Sequence, residues 1–324
     1  MANANTTKLV TLIGGSGFLG RQIVRALAKQ GYRVRVACRR PDLAGHLQPL
    51  GNLGQIQMVQ ANVRYPKSLE AACRDSDTVI NLVGLLANSG RQTFDACHVF
   101  GAEACARAAK AAGARAFVQI SAIGADLEGE ANYARTKAEG EQAVQAAFPG
   151  AVIVRPSIIF GPGDGFFNRF AGMARISPVL PLIGGGHTKF QPVFVGDVAD
   201  AVAAIVGGKG KAGEVYELGG PEVLSFKQLL EFVLETTHRK RLLIPIPFAI
   251  AKLKAMFLQL LPYAPITVDQ VKLLEHDNVV SDAAASENRT LEGLGITPEG
   301  IEAVVPSYLG RFRPRGQFDQ IKAV

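Results

Sequence analysis

Short runs of aliphatic and β-branched residues alternate with Ala-rich stretches through the first half of the chain. LVTLI (9–13), RVRVA (33–37), IQMVQA (56–61), DTVINLV (77–83), AFVQISA (116–122) and AVIVRP (151–156) read as strands. Stretches of helical period lie between them at 18–30, 67–74, 92–112 and 131–147. Strands that are apolar throughout must be covered on both faces, which indicates a parallel sheet between layers of helices.

That pattern predicts the doubly wound, Rossmann kind of α/β fold, which takes its ligands at the carboxyl ends of the strands. Regularity weakens after Pro156. Residues 161–190, with GPGDGFF and PLIGGG, read as a long lid-like loop on the side of a substrate. QPVFVGDVADAVAAIV (191–206) restores one strand and one helix, and beyond VYELGG (215–220) the pattern turns mostly helical. Two domains are expected: residues 1–220, and a smaller helical domain over 221–324 with an extended basic tail.

A length of 324 residues allows a sizeable core, and 48% hydrophobic content argues against disorder. No apolar run precedes the first strand, so no secretory signal is read and a cytoplasmic location is expected. Cys38, Cys73, Cys97 and Cys105 have no metal-ligand spacing, so they are expected to be structural thiols with no metal. The net charge of +7 is spread along the chain, with clusters at Arg39–Arg40, His238–Arg241 and Arg311–Arg315. No nucleic-acid motif accompanies them, and nucleic acid is not an expected partner.

Gly14, Gly17 and Gly20 follow the first strand and open the first helix. Glycines there permit a tight turn, close approach of a pyrophosphate and close helix–sheet packing, while the helix amides attract the anion. The end of the second strand lacks the acid that would hold the ribose diol of NAD, and Arg39 and Arg40 stand there instead. Guanidinium groups suit a 2′-phosphate, so NADP(H) is the expected cofactor. A solvated basic turn before Pro41 is the plain alternative.

Tyr133 and Lys137 lie four apart in ANYARTKAEGEQAV, hence on one helical face. An ammonium beside a phenol should favour the phenolate and give Tyr133 an acid/base role. Ser121, at the end of the fifth strand, is placed to polarise a carbonyl oxygen, or else to cap the backbone.

GGSGFLG, the Ser121/Tyr133/Lys137 set, RPSIIFGPGD and PVFVGDVADAV resemble the extended and atypical short-chain dehydrogenase/reductases over roughly residues 8–220. PIPFAIAKLKAMFLQLLP, TVDQVKLLEHDNVVS, LGITPEGIEAVVPSYL and GRFRPRGQF resemble the dinucleotide-binding accessory subunit of respiratory complex I and its bacterial relatives. The resemblance implies a tightly held NADPH and association with a membrane quinone reductase. It implies a cofactor set of Gly14, Ser16, Gly17, Phe18, Leu19, Gly20, Arg39, Arg40, Asn62, Val63, Val83, Gly84, Lys137 and Pro156. Asn62 stands where relatives often carry Asp, and its side-chain carbonyl can still accept a hydrogen bond from the adenine amine. The catalytic set would be Tyr133, Lys137 and Ser121. Its retention keeps open a working oxidoreductase or epimerase on a carbonyl or hydroxyl substrate of unassigned structure, and a role in quinone metabolism is a third reading.

Residues 242–263 are almost wholly apolar but are broken by Pro245 and Pro247, and the helical piece at 248–261 is too short to span a bilayer. A peripheral membrane or partner contact is expected from this segment or from the Arg/Phe tail at 311–318, against the alternative of an ordinary core cap.

Overall fold

The computed structural model describes residues 7–259 and 266–316. In chain order the first elements are β1 (Leu9–Ile13), α1 (Phe18–Lys29), β2 (Arg33–Cys38), β3 (Ile56–Gln60), α2 (Pro66–Cys73), β4 (Thr78–Asn81), α3 (Phe100–Ala111), β5 (Ala116–Ile120), α4 (Asn132–Ala147) and β6 (Val152–Pro156). There follow β7 (Ile159–Phe160), α5 (Phe167–Ile176), β8 (Val179–Ile183), β9 (Lys189–Phe190), β10 (Val193–Phe194), α6 (Val195–Val206) and β11 (Val215–Leu218). The remainder holds β12 (Leu224–Ser225), α7 (Phe226–Thr236), β13 (Leu242–Ile246), α8 (Phe248–Leu258), α9 (Val268–Leu273), α10 (Asp282–Ser286) and α11 (Ile301–Leu309).

Contacts divide the chain into two units. The first runs to Pro156 and takes in Gly196–Leu218 and Ser281–Thr297, while the second holds Ser157–Val195, Gly219–Val280 and the chain from Pro298 onward. The chain passes between them repeatedly, where the sequence pattern suggests one boundary at residue 220.

The first unit is the parallel sheet, in the order β11-β6-β5-β4-β1-β2-β3. β1 and β4 at its centre are buried at every position, whereas the edge strand β3 keeps Gln57 and Gln60 exposed. The strand order reverses between β1 and β4, and such a reversal leaves a crevice at the carboxyl ends. Close crossings set the layers. A Cβ on Gly20 would stand 2.4 Å from the carbonyl oxygen of Gly15, so α1 lies directly on the turn after β1. On the other side of the crevice, a Cβ on Gly140 of α4 would stand 2.0 Å from the carbonyl oxygen of His98. His98 sits in a single π-helical turn (Asp95–Val99) that leads into α3. All four cysteines are unpaired and buried in this unit.

The second unit corrects one expectation. Residues 161–190 are not a long loop: they contain the ten-residue helix α5 and the strand β8. Phe167, Ala171, Ala174 and Leu180 are fully buried there, and Phe166 and Phe170 pack edge-on against Phe226. Burial of that aromatic cluster outweighs the glycines that made the segment look irregular. Asp164 anchors the start of α5, accepting from the amides of Phe166 and Asn168 and from the Tyr308 hydroxyl of α11.

The Gly140 contact gives a direct test. Gly140→Ala should destabilise the protein by about 1–3 kcal/mol, because a methyl group cannot enter that space without moving α4 from the π-helical turn. Urea unfolding with an unchanged midpoint would contradict this packing.

Candidate functional site

Gly14 adopts φ +81°, and its amide donates to the carbonyl of Ala37 at 2.8 Å. A Cβ there would come within 2.9 Å of the Val83 side chain, so the carboxyl ends of β1 and β4 meet at this point. Gly17 caps α1 with no side-chain hydrogen bond, and the first turn carries no acid. A Cβ on Gly17 would meet only the Gly14 carbonyl, at 3.7 Å. The first turn of α1 thus has no side-chain cap and open space beside Gly17, both of which a diphosphate requires. Ser16, Phe18 and Leu19 are half-buried around this turn. Gly15 completes it: its own Cβ would strike Leu12 at 2.8 Å. The G-x-G-x-x-G spacing passes over Gly15, which only the packing reveals.

The two arginines after β2 differ. Both are exposed. Arg40 is paired with Asp42 at 2.8 Å, whereas Arg39 donates to the side-chain carbonyl of Gln92. Asp42 was not visible as a partner in the sequence because it lies two residues past Arg40, beyond a proline. An exposed pair is weak, so the Arg40–Asp42 bridge can open. Asn62 uses its side-chain oxygen to accept the Arg64 amide at 3.1 Å, leaving one lone pair for a ligand. Val63 is buried and packs against Gly101, and Pro156 is buried at the end of β6.

Lys137 reaches from α4 to the ends of β4 and β5 with Tyr133 beside it, and Ser121 follows the Ile120 carbonyl to which Lys137 is bonded. The Lys137 ammonium donates to the Ile120 carbonyl at 3.4 Å and lies 5.8 Å from the centre of the Tyr133 ring. A Cβ on Gly84 would stand 3.3 Å from the Lys137 nitrogen, so Gly84 makes room for that side chain. Ser121 is buried with a hydroxyl that has no hydrogen-bond partner. It is not a backbone cap. Leaving a buried hydroxyl unpaired costs about 1–3 kcal/mol, and a ligand carbonyl in the crevice would satisfy it.

Burial dominates the electrostatics. It pushes the Tyr133 phenol up to about 12, against the expectation that Lys137 would draw it down. Burial also holds the Lys137 amine down to about 8, with Glu141 acting in the opposite sense. For each group the loss of water is the largest influence. The resting phenol is a proton donor. Glu141, one turn beyond Lys137, is held in turn by Arg155 through bonds of 2.9 and 2.6 Å.

His98 belongs to the site although no motif marks it. Its Nε2 accepts the Leu85 amide at 3.0 Å, and Nδ1 meets the Thr136 hydroxyl at 3.1 Å. Thr136 donates to the carbonyl of Asn132, so Nδ1 carries the proton and donates. The imidazole stacks on Phe94 and meets Tyr133 edge-on at 5.5 Å. It thereby ties the loop after β4 to the helix that carries Tyr133 and Lys137.

Residues 10–219 match the NAD dependent epimerase/dehydratase family, and the chain belongs to it. Over 320 residues it is 33% identical to "NADH dehydrogenase [ubiquinone] 1 alpha subcomplex subunit 9, mitochondrial" of Arabidopsis thaliana, covering 95% of this chain and 79% of that protein. It is 37% identical to a ceramide reductase of Caulobacter vibrioides over 198 residues, 61% of this chain and 60% of the other. Among solved structures it resembles the NADPH-dependent quinone oxidoreductase of Escherichia coli complexed with NADPH. That likeness has a TM-score of 0.72 at 19% identity, covers 93% of this chain and 99% of the other, and concerns the fold alone.

Burial, followed by the charge of Lys137, holds the His98 imidazole down to about 3. Its folded pKa therefore lies below the unfolded value of about 6.5, so the unfolded chain binds the extra proton. The contribution is complete above that pH and is lost progressively as pH falls toward 3. Folding stability of His98→Gln, followed by denaturant titration, should fall less steeply than wild type between those limits. Parallel profiles would remove the buried neutral imidazole from the account.

Proposed function

We propose that this chain is an NADP(H)-holding protein of the accessory type, serving a membrane-bound quinone reductase of the complex I kind. The observation that carries the nucleotide half is the uncapped glycine turn facing open space beside Arg39 and Arg40, with no acid on β2 to hold a ribose diol. Support for the accessory half is the similarity to complex I subunits, which extends over nearly the whole chain in plant and animal relatives.

Gly14, Gly17 and the first amides of α1 would hold the diphosphate, Arg39 the 2′-phosphate, and Lys137 the ribose near the nicotinamide. NADP(H), held there, would supply hydride chemistry for a carbonyl in the crevice. A second reading, a carbonyl reductase, is favoured by the unpaired Ser121 hydroxyl. In that mechanism Ser121 donates a hydrogen bond to the substrate oxygen, and Tyr133, protonated at rest, delivers the proton to it. Lys137 offsets the charge left on the phenolate. Relatives named as reductases of ceramide and of a farnesylated quinoline oxide point to an apolar ketone as the substrate class.

NADPH should bind at least tenfold more tightly than NADH, about 1.4 kcal/mol. Arg39→Ala should abolish most of that preference, and Arg40→Ala less of it, because Asp42 already engages Arg40. Equal affinities for the two nucleotides in calorimetric titration would overturn the assignment.

Turnover separates the two readings. An accessory protein should retain nucleotide through purification, oxidise no NADPH with quinones or long-chain ketones, and co-purify with quinone-reductase subunits from detergent-solubilised membranes. A reductase should turn over, and Tyr133→Phe should then lower kcat by at least about a hundredfold with unchanged NADPH affinity.

A further inference from the structure

In the second unit, α8 is inverted relative to an ordinary surface helix. Its small residues Ala251 and Ala255 face inward, against Ile183 and Val271, while Ile250, Leu253, Met256 and Phe257 are exposed. An amphipathic helix of a soluble domain normally buries its large side chains and exposes its polar ones. The two lysines complete the inversion. Lys252 turns inward to Glu275 at 2.8 Å, whereas Lys254 is exposed on the outward face.

The outward face continues onto β13. Leu242 and Ile244 alternate along one side of that strand, 70% and 44% exposed. Ile244, Ile250 and Lys254 line one open apolar groove with Leu180 and Pro181, of about 360 Å³. Within α8, Ile250, Leu253 and Phe257 form a stripe at i, i+3 and i+7. The strip therefore runs from Leu242 to Phe257 without a carboxylate on it.

Cations gather at its start. Arg241 immediately precedes β13 and donates to the carbonyl of Ala174. Arg175 and Ile176 follow that residue, and Ile176 is 82% exposed. Burial lowers the Arg239 pKa, and Arg241 and Arg175 add repulsion, so three guanidiniums crowd one region. Lys240 is exposed beside them.

We propose that the outward face of α8, the Leu242–Ile244 edge of β13 and the cations beside them form a docking surface for an anionic lipid bilayer. Exposed large apolar side chains with basic residues at their margin match the two layers of a membrane interface, hydrocarbon within and acidic headgroups without. A bilayer supplies both at once. A second copy of this chain would bring the same arginine cluster against itself or leave it without a counter-charge. The surface lies wholly in the second unit, and this inference does not depend on the nucleotide reading.

The test uses the full-length protein and sedimentation with vesicles. At low salt the protein should co-sediment with vesicles of phosphatidylcholine and phosphatidylglycerol in a three-to-one mixture, and only weakly with pure phosphatidylcholine. Leu253→Ser with Phe257→Ser should abolish binding. Lys240→Gln with Lys254→Gln should weaken it about 25-fold, roughly fivefold per cation, and rising salt should do the same. All these side chains are exposed, so the variants should keep their folding transition and their bound nucleotide, which separates this result from failure of the nucleotide reading. The proposal falls if wild type ignores the mixed vesicles, if it binds both vesicle types equally, or if the serine variant still binds. It falls equally if sedimentation velocity without lipid shows a dimer that the serine variant dissociates.

Discussion

The carboxyl ends of β1 and β4 are neighbours, and the site depends on that adjacency. Parallel strands wound in opposite directions from the middle of a sheet leave their following loops to diverge, and the crevice opens between them. Here the gap is set by Gly14 against Val83, and its floor by Gly20 against Gly15. None of these contacts tolerates a Cβ. The glycine turn and the Gly84 opening for Lys137 follow from β1 and β4 pairing in register from Val10–Thr78 to Ile13–Asn81, and the position of Ser121 from the pairing of β4 with β5.

Around that crevice, burial decides the protonation of the ionisable groups. Tyr133 keeps its proton, Lys137 gives its proton up more easily than usual, and His98 remains neutral. Local sequence suggested the reverse for Tyr133, since spacing places an ammonium on the same helical face. Spacing fixes direction along a helix but says nothing about how much water surrounds the pair. Desolvation grows with the layers packed over α4, which are contributed by residues as distant as His98. A buried neutral imidazole is also a rigid element here. Both ring nitrogens are engaged, so rotating it would leave the Leu85 amide and the ring's own Nδ1–H without partners together.

What the sequence showed and what it hid divide along physical lines. Six of the seven strands of the first unit were legible: β1 and β4, buried at every position, leave uninterrupted apolar runs, and β1 falls on the residues the pattern assigned. The glycine turn and the Ser121/Tyr133/Lys137 set were legible because chemistry fixes their spacing. Helix α5 was hidden: its aromatic residues sit among glycines and prolines, and only burial against Phe226 and the Asp164 anchor selects the helical state. His98 and Gly15 were hidden because each acts on a partner far away in sequence or through a missing Cβ. The basic tail was half legible. Arg311 bonds to Asn168 and Arg313 to the Thr236 carbonyl, so this stretch is tied down rather than extended, while Phe318 lies outside the described residues.

The apolar segment at 242–263 shows why composition alone could not choose between a core cap and a docking helix; its last residues, 260–263, lie outside the described residues. Both readings require the same residues, and they differ only in which side chains face inward. In α8 the inward positions went to alanines, which bury little area each, while the large side chains were left in water. Exposing four large apolar groups on three turns is a standing cost in an isolated chain, on the order of 1.5–3 kcal/mol for each group that could have been buried. A sequence under no other constraint would turn that helix by half a revolution. Among the described residues no helix is long and apolar enough to cross a membrane, and a contiguous exposed apolar face of this kind is the mark of an interaction surface rather than of a spanning segment.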